Sequence, residues 1–148
     1  MSAVDSLSTS ARRAILEGLL AMAWADSRLE REEILAVQAA GRVLDLPDDV
    51  LDALDAGPPA VAQIAHDDLT PRERELVYLC AAWLSSVDGR EVESEEGLLF
   101  ELGAALGIEG PRSTELRDDA RLLHATVSST TPWWGELNDL IESANQRI

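Results

Sequence analysis

One cysteine, one phenylalanine and one tyrosine are spread over 148 residues, and each scarcity removes a class of explanation. A lone Cys80 excludes an internal disulfide and a zinc site built from several thiolates; set in LVYLCAAWL, it reads as a packing residue in a reducing compartment. Aromatics reach only 4% while hydrophobic residues reach 46%, so the core must be assembled from Leu, Ala, Ile and Val, which suits close helix packing better than a β-sandwich. Basic residues are also few. Twelve Lys and Arg face 28 Asp and Glu, for a formal charge of −16 and a pI near 4.3. Such a surface repels phosphate backbones, so nucleic-acid binding is not expected, and it favours cations or basic protein partners.

Long apolar runs are missing as well. No stretch approaches the roughly 18 apolar residues of a membrane span, and the opening MSAVDSLSTSARR has no apolar signal core. Direct membrane insertion is not expected, and the expected location is the cytoplasm. Motifs of catalysis are absent too: there is no glycine-rich phosphate loop, no HExxH and no GxSxG. His66 beside Asp67-Asp68 and His124 beside Leu122-Leu123 read as a helix-end residue and a packed helix residue, respectively. No enzyme is expected.

What the chain does have is helical periodicity. Ser10 is placed to cap a first helix carrying Ile15, Leu16, Leu19, Leu20 and Ala23 and running to about Ala25. A second begins near Glu30 and stops at Leu44-Asp45-Leu46; a short third opens at Pro47 and stops at Gly57; a fourth covers Ala60 to His66. Thr70-Pro71-Arg72-Glu73 is a capping box with proline at the first helical position, opening a largely apolar, central helix through Leu76, Val77, Leu79, Cys80, Ala81, Trp83 and Leu84. The next restarts at about Ser94, buries Leu98, Leu99, Leu102 and Leu106, and ends at Gly107 or Gly110. Ser113 to Val127 follows, with Leu116, Leu122 and Leu123, and a last helix opens at Thr131-Pro132 with Trp133, Leu137, Leu140, Ile141 and Ala144 on one face. That face is expected to dock on the same molecule.

These elements imply an all-α bundle of about seven to eight helices, a single domain over 1–148. Placing Asp26 over Asp88, 62 positions on, also lays Glu33 over Glu95, Arg28 over Arg90 and Leu44-Asp45-Leu46 over Leu106-Gly107-Ile108 without a gap. Internal duplication accounts for this, with one repeat over about 8–66, a second over about 70–128, and the terminal helix at about 132–147.

The corner SSVDGREVESEEG, residues 85–97, tests as half of a calcium loop. Gly89 and Glu95 fit the sixth and twelfth positions of an EF-hand, but Leu84 then falls at the first, where an oxygen ligand is required. An aspartate at a helix C-terminus faces the negative end of the helix dipole, so Asp26 and Asp88 need compensation. Amides of the turn and the next helix can supply it, or a divalent cation can, held by Asp and Glu seven residues apart with backbone carbonyls and water. Calcium suits such all-oxygen donors best. Arg28 and Arg90 compete with a cation as salt-bridge partners.

AMAWADSRLEREE and AAWLSSVDGREVESEE, each followed at the same distance by a leucine or isoleucine stop, resemble the TerB-like family. The resemblance covers roughly Leu19 to Leu46 and Leu79 to Ile108. It implies an all-helical fold made by duplication of a helical unit, a place in bacterial stress-response or tellurite-resistance systems, and protein partners that include membrane-associated ones. It also implies metal binding or sensing at Asp26, Glu33, Asp88 and Glu95. The first corner departs from the family in having Ser27 where glycine is usual, and a one-residue slip in the second register replaces Glu95 with Glu96.

Overall fold

The structure, a computed structural model, describes residues 7–23, 39–46, 69–87, 93–127 and 141–143. It holds helices α1 (Thr9–Ala23), α2 (Pro71–Val87), α3 (Glu93–Ala105) and α4 (Gly110–Val127). Residues 39–43 and 141–143 are helical as well, and no strand occurs among the described residues. The all-α expectation holds over them. The short helices expected at 47–57 and 60–66, and the Thr131-Pro132 start, lie outside the described residues.

Helix starts follow local capping chemistry. Thr70 and Glu73 form the expected reciprocal box: the Glu73 amide donates to Thr70 Oγ1 at 3.1 Å, and the Thr70 amide donates to Glu73 Oε1 at 3.0 Å. The cap of α1 is Ser8, one half-turn before the expected Ser10. The Ala11 amide donates to Ser8 Oγ at 3.1 Å and the Arg12 amide to Ser8 O at 3.1 Å. Either serine satisfies a cap locally; burial of Leu7 in the core decides for the earlier one. Similarly, α4 begins at Gly110, not Ser113, whose amide already donates to Glu109 O at 2.9 Å. Pro111 is tolerated there because first-turn amides have no intrahelical acceptor to lose.

The helix α2 is the centre of the bundle. It packs against α1, α3 and α4, and every residue from Leu76 to Leu84 is buried, as expected of a helix that is apolar all round. Ile15, Leu16 and Leu19 of α1, Leu102 of α3 and Leu116 of α4 join it in one core, along with Leu44 and Ile141. Each such side chain contributes about 1.5–3 kcal/mol on burial. Ile141 thus docks on its own molecule, as expected at that position; the other residues of its predicted face lie outside the described ones.

One close approach sets the packing. A Cβ built at Gly103 would lie 3.3 Å from Tyr78 Cε2, whereas one at Gly18 would make ordinary contact with Val77 Cγ1 at 3.6 Å. The Tyr78 ring rests on the bare backbone of α3.

One leucine differs from expectation, and one on α4 faces solvent. Leu98 is only half-buried, on the flank of the Leu99, Leu102 and Leu106 stripe. Leu122 is 54% exposed: at about 100° per residue it sits roughly 240° from buried Leu116 and so leaves the core face.

Candidate functional site

The turn after residue 43 and the turn after α3 are built by the same hydrogen bonds. In the first, the amides of Leu44, Asp45 and Leu46 donate to the carbonyls of Ala40, Arg42 and Gly41 at 3.0, 3.0 and 3.1 Å. In the second, Leu106, Gly107 and Ile108 donate to Leu102, Ala104 and Gly103 at 2.9, 3.1 and 2.9 Å. Both are Schellman closures, which need a left-handed residue after the helix. Asp45 supplies it with φ 57° and Gly107 with φ 73°. Every partner in the second turn stands 62 positions after its counterpart in the first.

The same spacing governs the helix starts. Leu7, Ser8 and Arg12 stand 62 positions before Leu69, Thr70 and Arg74. Arg12 folds back so that Nε and Nη2 donate to Leu7 O at 3.2 and 3.1 Å, while its Nη1 lies 4.0 Å from Asp45 Oδ2. Arg74 donates from Nε to Leu69 O at 3.4 Å and from Nη1 to Leu106 O at 3.3 Å. Each arginine straps its helix entry to its own Schellman turn. The difference is one side chain: where Asp45 offers a carboxylate, Gly107 has none, and the second guanidinium takes a backbone carbonyl.

Glu73 joins the two starts. Oε1 completes the box with Thr70, and Oε2 accepts from Ser8 Oγ at 2.8 Å. Burial pushes this carboxyl up, but the donors from Thr70 and Ser8 outweigh it and leave its pKa below the ordinary 4.5.

A cleft of about 570 Å³ opens beside the second turn, lined by Leu69, Leu106 and Ile108 and by Arg74, Glu75 and Arg112. Arg112 grips Glu75 through both oxygens, at 2.9 and 2.7 Å, and reaches Glu115 Oε2 at 2.8 Å. The bonds to Glu75, then to Glu115, raise its pKa further above the ordinary guanidinium value. The cleft is therefore internally neutralised and positions no nucleophile beside a base. Cys80 is no candidate either, because burial pushes its thiol up to about 12.

Of the expected metal residues, Asp26, Glu33 and Asp88 lie outside the described residues. Glu95 and Glu96 stand in the first turn of α3, which begins five residues after Asp88 and carries no basic residue. Among the described residues no group of three or more His, Cys, Asp or Glu side chains is arranged to hold a metal ion, and no helix is long and apolar enough to cross a membrane.

Sequence reasoning found the two hydrophobic stops but missed the arginine straps and the double use of Glu73. The signal was present as Leu-Ser/Thr followed four residues later by Arg, repeated at the spacing of the corners. No protein-family model, curated protein or solved structure matches the chain.

Proposed function

We propose that the chain is a non-catalytic helical module of the TerB-like kind, made of two related halves, that binds or senses a divalent cation through its acidic corners. Asp26, Glu33, Asp88 and Glu95, with Glu96 in the slipped register, are the residues that would hold it. The observation that supports this is the recurrence, 62 residues apart, of capped start, arginine strap and Schellman turn. The corner carboxylates stand at that same offset in the sequence, Asp26 to Asp88 and Glu33 to Glu95. Bound cation would stabilise the fold by RT ln(1 + [L]/Kd), about 2.7 kcal/mol at a hundredfold excess over Kd.

The test is a thermal melt of chelator-treated protein with and without millimolar Ca²⁺ at fixed ionic strength, on the wild type and on Asp88→Asn/Glu95→Gln. A rise of several degrees that the double variant loses is the expected result. No shift with Ca²⁺, Mg²⁺ or Zn²⁺ overturns it.

A second reading, an acidic interaction module with no metal dependence, is favoured by Phe100. This large apolar side chain, 80% exposed on a chain of charge −16, is what such a module would present to an apolar partner surface. Its signature is salt-sensitive partner binding that chelators leave unchanged.

A further inference from the structure

Resting on that second reading, we infer that the outer face of α3 is the docking surface, and that its occupant is a basic amphipathic helix of another protein. From Leu98 to Ala105 helix α3 is apolar at every position but Glu101, so apolar residues fall on its outer side as well as its inner one. Leu99 and Leu102 are buried against the core, while Gly97, Phe100, Glu101 and Ala104 form an exposed stripe at helical spacing.

Gly97 is the second observation. A glycine inside a helix costs up to about 1 kcal/mol relative to alanine. Gly103 has an internal reason, since a built Cβ would lie 3.3 Å from the Tyr78 ring. At Gly97, among the described residues, nothing lies within 4 Å of a built Cβ. One turn before an exposed Phe100, bare backbone leaves room for a second helix to cross closely, with Phe100 as the knob beside it.

Charge chooses the occupant. The helix bears Glu93, Glu95, Glu96 and Glu101 and no basic residue. A second copy would set two acidic helices against each other, and like charges across a contact are costly. An apolar stripe flanked by Arg or Lys meets both Phe100 and the exposed Glu101 beside it.

The experiment titrates the full chain into a fluorescent amphipathic Leu/Arg helical peptide and into a peptide of the same composition whose order destroys the apolar stripe. The variants are Phe100→Ala, Gly97→Leu and, as a control on α4, Leu122→Ala. The ordered peptide is expected to bind at least about tenfold tighter than the scrambled one. Phe100→Ala and Gly97→Leu each weaken it about tenfold, the scale of an interface anchor, while Leu122→Ala leaves it unchanged. Equal affinity of wild type and Phe100→Ala overturns the face while the acidic-module reading stands. Failure of the wild type to bind either peptide overturns both. A wild-type dimer in sedimentation that Phe100→Ala converts to monomer overturns the partner and gives the face to a second copy.

Discussion

Ser8 Oγ donates to Glu73 Oε2 at 2.8 Å, across 65 residues of sequence, and so ties the N-cap of α1 to the capping box of α2. The two helix starts share one carboxylate. Protonating that carboxylate removes acceptors from both, which makes the pair of helix ends sensitive to acid.

The folded pKa of Glu73 lies below its ordinary 4.5, so its contribution is complete above that value and is lost as pH falls through the lower, folded one. Glu73→Gln is therefore expected to lower the urea midpoint at neutral pH. The gap to wild type should narrow as the pH drops below 4.5. Urea titrations across that range check it, and a gap independent of pH refutes the role.

The paired Schellman turns predict opposite outcomes. Asp45 holds φ 57° with a Cβ, so Asp45→Gly should stabilise by about 0.5–1 kcal/mol. Its 4.0 Å contact with Arg12 offsets little of this, because Asp45 is 86% exposed. Gly107→Ala should destabilise by about 1–2 kcal/mol through backbone conformation alone, since the nearest atom, Arg74 Nη1, would be an ordinary 3.8 Å away. Equal signs in the two denaturation curves would contradict the assignment.

Cys80 should resist alkylation by iodoacetamide at neutral pH, its thiol being enclosed in α2 and pushed up to about 12. Labelling is expected to appear only with denaturant and to follow the unfolding transition seen by circular dichroism. Rapid labelling of the native protein would be inconsistent with the packing around Trp83 and Leu79.

Local chemistry was legible in the chain and distant contact was not. Thr70-Pro71-Arg72-Glu73 declares a helix start because the box closes within four residues, and Leu76 to Leu84 declares a buried helix because no polar face interrupts it. Ser8 and Ser10 could not be separated by capping preference; the burial of Leu7 settles them, and that depends on residues far along the chain. The strap from Arg74 to Leu106 spans 32 residues; the repeated Leu-Ser/Thr…Arg pattern marks the arginine but not the carbonyl it reaches. On α3 the even spread of leucines concealed which side faces out, so Phe100 passed unnoticed. The corner residues Asp26, Glu33 and Asp88 lie outside the described residues.

The central position of α2 also determines the order in which the molecule can come apart. Because it touches α1, α3 and α4, releasing it undoes most of the helix contacts among the described residues and leaves only that between α1 and α3, so its amides are expected to be among the last to exchange hydrogen with solvent. Helix α3 makes the thinner contact with the bundle. Its amides are therefore expected to exchange sooner than those of α2, which gives the two helices separate clocks.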